Sequence, residues 1–203
     1  MHQTDNYYQT GVALAEAKTV IIATHGRGGS PEDIASLAEM FADETTCIIA
    51  PRATNHTWYP YSFMAPRANN EPWLSSAVRA VQDIIAMVER HVNSSNIILL
   101  GFSQGACLTS EVAALNAKKY KRVIIFTGGV IGDKFEPNVY SGDFQGTPVY
   151  ISNSDNDPHV PLTRTEETIA LYKNLGATVT SHIFPNRPHT VTKEEIVEAR
   201  AER

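Results

Sequence analysis

The chain has 203 residues, of which 42% are hydrophobic and 19% charged, and a formal net charge of −5, a composition that excludes a disordered or fibrous protein. The acidic balance, with no Lys/Arg run interleaved with aromatics, argues against nucleic acid as a partner. No segment approaches the ~18 apolar residues of a membrane span and the opening MHQTDNYYQTG has no apolar leader stretch, so a cytoplasmic protein without a membrane span is expected.

Residues 1–17 are polar to mildly apolar and supply either an edge hairpin or a tail. Thr19–Thr24 (TVIIAT) is a buried strand that runs into His25-Gly26-Arg27-Gly28-Gly29. A glycine-rich turn after a strand is also how phosphate loops begin, but neither the dinucleotide spacing nor a terminal Gly-Lys-Ser/Thr is present. Ser30-Pro31-Glu32-Asp33 instead reads as a helix cap with proline at the first position, and Ile34, Leu37, Ala38 and Phe41 follow at helical spacing. Thr46–Ala50 is the next strand. After it comes an irregular stretch from Pro51 to Pro72 with four prolines and the aromatics Trp58, Tyr59, Tyr61 and Phe63. A loop this long in a compact domain is functional or disordered, and its aromatic content argues against disorder. It leaves the C-terminal end of a strand, the edge where open α/β sheets carry their sites, so Trp58, Tyr59 and Phe63 are assigned to a substrate pocket.

Trp73–His91 traces an amphipathic helix through Leu74, Val78, Val81, Ile84, Ile85 and Val88. Asn96–Leu100 is a non-alternating apolar strand, as expected of a central parallel strand covered on both faces. Gly101-Phe102-Ser103-Gln104-Gly105 then has the Gly-x-Ser-x-Gly spacing of a nucleophile elbow, followed by a helix. Serine on so tight a turn leaves no room for side chains two positions before or after it, hence the glycines. Arg122–Thr127 and Pro148–Ser152 are further strands. Thr163–Leu175 is a helix closed by Gly176. Ala177–Phe184 alternates like a half-exposed edge strand, and Thr192-Lys-Glu-Glu195 is a capping box opening a last helix. Strand–helix alternation along the chain means one α/β domain, residues 1–203, with a mostly parallel sheet and helices on both faces.

A serine needs a base, and the base needs an orienting group. Of seven histidines, two follow strands in C-terminal loops, His159 and His189. Asp155 and Asp157 are the candidate acids, and serine, acid, histidine is the chain order of α/β-hydrolases. His25, before the glycines, suits a structural hydrogen bond better than base catalysis. His56 lies in the aromatic loop, within reach of a substrate. Asp155-x-Asp157-x-His159 is not a calcium loop, because the position requiring glycine holds Val160 and prolines flank it. Cys47 and Cys107 read as buried small hydrophobes rather than a disulfide framework. The Lys118–Arg122 cluster lies at a helix C-terminus, where cations are favourable. Arg27 and Arg52 leave two options open: pairing with an anionic substrate, or facing solvent and the carboxylates of the loops.

Taken together, His25-Gly26-x-Gly28, Gly101-Phe-Ser103-Gln-Gly105-Ala106, Asp157-Pro-His-Val-Pro161 and Pro188-His189 resemble the phospholipase/carboxylesterase family of small α/β-hydrolases, which includes acyl-protein thioesterases and bacterial carboxylesterases. The resemblance spans roughly residues 19–198. It implies the α/β-hydrolase fold, Ser103 as nucleophile, Asp157 as the orienting acid, His189 as the base, and an oxyanion hole from the backbone N–H groups of Arg27 and Gln104. Gly128 and Val160, just beyond two further strands, join the pocket residues. Arg27 and Gly29 stand where the family often has a hydrophobic and an acidic residue, so specificity is expected to differ near the acyl site. The expected function is hydrolysis of a small-molecule carboxylic ester, thioester or lysophospholipid through an acyl-enzyme, with no cofactor, no metal, and a homodimer as an option. The alternatives are a lactone or dienelactone-type hydrolase or a peptidase on the same triad, and a non-catalytic ligand-binding hydrolase fold.

Overall fold

The computed structural model describes residues 1–201; the last two residues of the expected 1–203 domain lie outside the described residues. The regular elements in chain order are β1 (Tyr7–Gly11), β2 (Thr19–Thr24), α1 (Pro31–Glu39), β3 (Thr46–Pro51), α2 (Trp73–Val88), β4 (Ile97–Phe102), α3 (Gln104–Leu115), β5 (Arg122–Phe126), β6 (Pro148–Ser154), α4 (Leu162–Asn174), β7 (Thr178–Phe184) and α5 (Lys193–Ala201). The strands form one sheet in the order β1-β3-β2-β4-β5-β6-β7. Only β1 is antiparallel, pairing with β3 from Tyr7↔Pro51 to Gly11↔Cys47. The N-terminal segment is thus neither hairpin nor tail; it covers the edge of β3. Gly11, at φ +82°, is where the strand turns away, and a Cβ there would lie 2.2 Å from the Thr46 carbonyl oxygen.

Uniformly apolar strands are required because both faces of the sheet are covered. Val20 and Ile22 of β2, Cys47 and Ile49 of β3, and Leu99 of β4 face α2, α3 and α4. Their neighbours Ile21, Ala23, Ile48, Ala50 and Leu100 pack against Ile34 and Ala38 of α1 and Ala199 of α5. Every residue of β2 and β3 is buried. At the far edge β7 alternates between exposed and half-buried residues, so its alternating sequence reports the one sided cover of an edge strand. α3 is buried from Gln104 to Ala114 and lies directly against β4.

The helix ends follow their caps. Ser30 Oγ accepts from Asp33 N–H at 3.1 Å while Asp33 Oδ2 accepts from Ser30 N–H at 3.0 Å, with Pro31 first in α1. Thr192 and Glu195 make the same reciprocal pair at the start of α5, at 3.3 and 2.8 Å. Gly176, at φ +79°, stops α4 in the left-handed conformation. α2 ends at Val88, the last of its apolar positions and three residues short of the expected end at His91. Lys118, just past α3, pairs with Glu89 at the C-terminal end of α2 at 2.5 Å, and both cysteines are free and buried. Among the described residues no helix is long and apolar enough to cross a membrane.

Candidate active site

The parallel strands all point their C-terminal ends to one edge, and five of the connections leaving that edge meet around Ser103. The turn from β4 to α3 places Ser103 at φ 55°, ψ −120°, a sparsely populated conformation for a residue with a side chain, costing on the order of 1–3 kcal/mol. Packing enforces it. A Cβ on Gly105 would lie 2.1 Å from the Thr24 carbonyl oxygen and 2.5 Å from that of His25; one on Gly101 would lie 2.6 Å from the Gly105 carbonyl. The elbow is also tied to its neighbouring strands: Thr24 Oγ1 donates to the Gly105 carbonyl at 2.8 Å, and Ser103 N–H donates to the Phe126 carbonyl at 3.0 Å.

Ser103 Oγ lies 2.7 Å from His189 Nε2, and His189 Nδ1 lies 2.8 Å from Asp157 Oδ2. Asp157 Oδ1 accepts the amides of His159 and Val160, both at 2.9 Å. Burial opposes ionisation of Asp157, but the hydrogen bonds from His189 and the two amides outweigh it and hold the carboxyl below the ordinary carboxylate range. With Asp157 ionised, Nδ1 carries the imidazole proton and Nε2 is free to accept from Ser103. Asp155, the other candidate acid, instead accepts the Asn186 amide at 2.8 Å. His159 packs edge-on to the His189 ring, centroids 4.8 Å apart, and Phe102 lies 5.4 Å from it on another side.

The loop bearing His189 is held from below by Arg187. Its Nη2 donates to Thr127 Oγ1 at 2.5 Å, and its Nη1 donates to the carbonyls of Pro188 and Thr190. Nε lies 3.5 Å from the buried carboxylate of Glu195, which accepts from Ser152 Oγ at 2.7 Å. Thr127, a β-branched residue at φ 58°, is held in that conformation as β5 ends and its hydroxyl meets Arg187. The sequence singles out neither residue; the signal it offers is an arginine two positions before the histidine.

A cavity of about 450 Å³ opens over Ser103, lined among others by Arg27, Tyr59, Pro60, Tyr61, Phe63, Phe102, Gln104, His159, Val160 and His189. Of the expected pocket residues, Tyr59, Phe63 and Val160 line this cavity. Trp58 and Gly128 do not line it. Trp58 is fully buried behind the wall, its indole N–H donating to the His25 carbonyl at 2.8 Å. Gly128 packs beneath the first turn of α3, where a Cβ would lie 2.5 Å from that of Ala106. A position just past a strand fixes the edge of the sheet but not which way a residue faces, and here it faces the helix. Tyr61, the remaining aromatic of that loop, also lines it, and Phe102 and Pro60 are lining residues that the spacing does not single out.

Arg27 and Gln104 line the cavity, and their backbone amides have no hydrogen-bond partner among the described residues. Gln104 is the first residue of α3, where orphan N–H groups and the helix dipole favour an anion. The Arg27 guanidinium donates to Thr57 Oγ1 and to the carbonyls of Tyr59, Pro60 and Tyr61, an arrangement outside both options read from sequence. Arg52 pairs with Glu32 at 2.6 Å. His25 is structural: Nε2 accepts the Ala53 amide at 3.1 Å and Nδ1 donates to the Gly26 carbonyl at 2.8 Å. Burial lowers its pKa, partly offset by that carbonyl. His56 Nδ1 lies 2.9 Å from the Gly29 carbonyl and its ring is not part of the cavity lining.

A largely parallel sheet with its serine on the sharp β4–α3 turn, hydrogen-bonded to a histidine that is in turn hydrogen-bonded to an aspartate, both from later connections, defines the α/β-hydrolase fold. The family model for phospholipase/carboxylesterase matches residues 12–201. A crystal structure described as a phospholipase/carboxylesterase from Dyadobacter fermentans is 42% identical, with a TM-score of 0.95 over 98% of this chain and 96% of that one. A probable carboxylesterase of Arabidopsis thaliana, SOBER1-like, is 23% identical over 89% of this chain and 76% of its own length. Acyl-protein thioesterase 1 of Debaryomyces hansenii is 28% identical over 55% of this chain and 49% of its own length. The chain belongs to the phospholipase/carboxylesterase family, a family of carboxylic ester hydrolases.

Proposed function

We propose that this chain hydrolyses small uncharged esters or thioesters through an acyl-enzyme on Ser103. His189 Nε2 takes the Ser103 proton as Oγ attacks the acyl carbon, and the carbonyl oxygen becomes an oxyanion between the amides of Arg27 and Gln104. Collapse expels the alcohol or thiol, which receives the proton from His189. Water then repeats the sequence at the acyl-enzyme, releasing the acid and restoring Ser103. Asp157 holds the imidazole in the productive tautomer and stabilises its cation. Each oxyanion donor is worth about 2.7–4 kcal/mol in comparable sites.

The observation that carries this reading is the continuous hydrogen-bonded series Ser103–His189–Asp157 at 2.7 and 2.8 Å, beside two unpaired amides. Preference for an uncharged substrate is supported by the wall, which is largely aromatic and aliphatic, and by the arginines, since Arg27 is engaged by loop oxygens and Arg52 by Glu32. A cytoplasmic setting accords with two free, buried cysteines, and the half-exposed β7 edge is the natural seam if two copies pair. The test is hydrolysis of p-nitrophenyl esters of graded acyl length, together with a size-matched acidic and neutral pair, by wild type and Ser103→Ala. We expect kcat/KM to favour the neutral ester and Ser103→Ala to be inactive. Undiminished hydrolysis by Ser103→Ala would remove the reading, and a preference for the acidic ester would remove its uncharged substrate class.

A further inference from the structure

The mechanism above uses only the backbone of Arg27 and Gln104, yet both side chains converge on one short segment of the aromatic loop. Arg27 Nη1 donates to Thr57 Oγ1 and the Pro60 carbonyl, each at 3.0 Å, and Nη2 to the carbonyls of Tyr59 and Tyr61 at 3.0 and 2.7 Å. Gln104 Nε2 donates to the same Tyr59 carbonyl at 2.9 Å, while its Oε1 accepts the Trp58 amide at 3.0 Å and Thr57 Oγ1 at 3.3 Å. The Tyr59 carbonyl is therefore a direct link between the two residues whose amides are assigned to the oxyanion hole.

We propose that residues 57–61 are a splint fixing the distance and direction between the two oxyanion amides, and that the Arg27 and Gln104 side chains are positioning residues at its two ends. This role presupposes the oxyanion assignment made above. The two amides differ in how they are held. Gln104 is part of α3. Arg27 lies among Gly26, Gly28 and Gly29, with Gly28 at φ +77° and open space where its Cβ would be, so local sterics leave its peptide free to reorient. An oxyanion hole works only if both donors reach one oxygen at about 2.7–3.1 Å. A loop donor next to flexible glycines must be tethered to the helix donor, and the splint is that tether. The turn's flanks are secured to the same loop, with Gly28 N–H donating to the His56 carbonyl at 2.7 Å and the Trp58 indole donating to that of His25 at 2.8 Å.

A mere wall would affect KM, and a mere staple would affect stability. A splint affects kcat, since the oxyanion exists only in the transition state and tetrahedral intermediate. Arg27→Lys keeps the positive charge and much of the stem but cannot reproduce a planar fork with four acceptors. Gln104→Glu keeps Oε1 and removes the donor to Tyr59. Both should lower kcat about 10–100-fold, less than the roughly 100–1,000-fold of deleting a donor outright, with KM changed by less than about threefold. Inhibition by an aryl boronic acid, whose tetrahedral adduct on a serine oxygen carries the negative charge, should weaken by the same factor as kcat. Combined, the two changes should cost less than the product of their separate effects, because both side chains act on one segment and share the Tyr59 carbonyl. Thermal midpoints, recorded alongside, confirm that the folded protein is being compared. A kcat within twofold of wild type in both variants, or a loss confined to KM, would overturn the proposal. Hydrolysis persisting in Ser103→Ala would instead overturn the nucleophile assignment, an outcome neither splint variant can produce.

Discussion

The β4–α3 connection and the β3–α2 connection meet at the proposed oxyanion amides, and they are built in opposite ways. The first is a few residues long and its shape is steric: Gly101 and Gly105 exist because backbone atoms lie within 2.1–2.6 Å of where their Cβ atoms would be. The second runs from Arg52 to Pro72 with only short 3₁₀ turns at 54–56 and 67–70, and polar groups distant in sequence hold it. Arg27, Gln104, His25 and His2 all bond to it, as does the buried Asn70 within it. A steric turn breaks with one added carbon. A polar scaffold should loosen step by step.

The sharpest break is Gly105→Ala, whose Cβ would collide with the backbone of β2 rather than with a movable side chain. Overpacking of this kind costs about 3 kcal/mol or more where backbone must shift. We expect little folded protein by circular dichroism and no hydrolysis; a normal melting curve would mean that the elbow is not sterically locked. Next comes Asp157→Asn, expected to reduce kcat by about 10⁴, as in the serine-protease triad, through the wrong imidazole tautomer. Asp155→Asn, at a carboxylate that accepts the Asn186 amide and not His189, should cost less than about tenfold. Reversed effects would reassign the acid.

Glu111 probes the polar scaffold. From within α3 it accepts Arg67 Nη1 at 2.7 Å, the Ile131 amide at 2.9 Å and the Tyr140 hydroxyl at 2.9 Å, joining the aromatic loop to the connection after β5. Arg67 is 38% exposed while Glu111 is fully buried, so Glu111→Ala strands one partly hydrated cation and two buried donors. A loss of about 3 kcal/mol in urea unfolding is expected, with the elbow intact and Ser103 still reactive. An unchanged midpoint would remove Glu111 from the scaffold.

The smallest effect is on pH. His25 accepts the Ala53 amide and His2 accepts the Thr54 amide at 3.1 Å each, so a proton on either accepting nitrogen ejects the bond. Burial lowers both pKa values below the ordinary value of 6.5. The unfolded chain then binds more protons than the folded one below pH 6.5, so stability falls as pH drops through that value towards the depressed folded pKa values. Each histidine contributes at most about 1.4 kcal/mol per pH unit. The thermal midpoint should fall between pH 7 and 5, and the fall should shrink in His2→Gln/His25→Gln. The same slope in that variant would place the titration elsewhere.

The same contrast decides what could be read from the sequence. Strands covered on both faces appear as apolar runs, and TVIIAT matches β2 residue for residue; caps such as Ser30 and Thr192 are local codes and are equally legible. The elbow is legible because its glycines answer to local sterics. Trp58 and Arg27 are different. Trp58 lies in an aromatic stretch that does form the wall, but its indole is drawn behind that wall by the His25 carbonyl 33 residues away. Arg27 is charged, yet its partners are carbonyl oxygens from residues 59–61, and every residue offers a carbonyl. Nothing in residue type marks such an acceptor. The N-terminal strand was ambiguous for a related reason, since Tyr7–Gly11 forms only by pairing with β3.

The most direct test of the account is a fluorophosphonate probe followed by intact mass and peptide mapping. Wild type should gain a single adduct on the peptide containing Ser103, at a rate that falls in His189→Ala, and Ser103→Ala should gain none. An adduct of undiminished stoichiometry in Ser103→Ala, or one mapped to another residue in wild type, would contradict it.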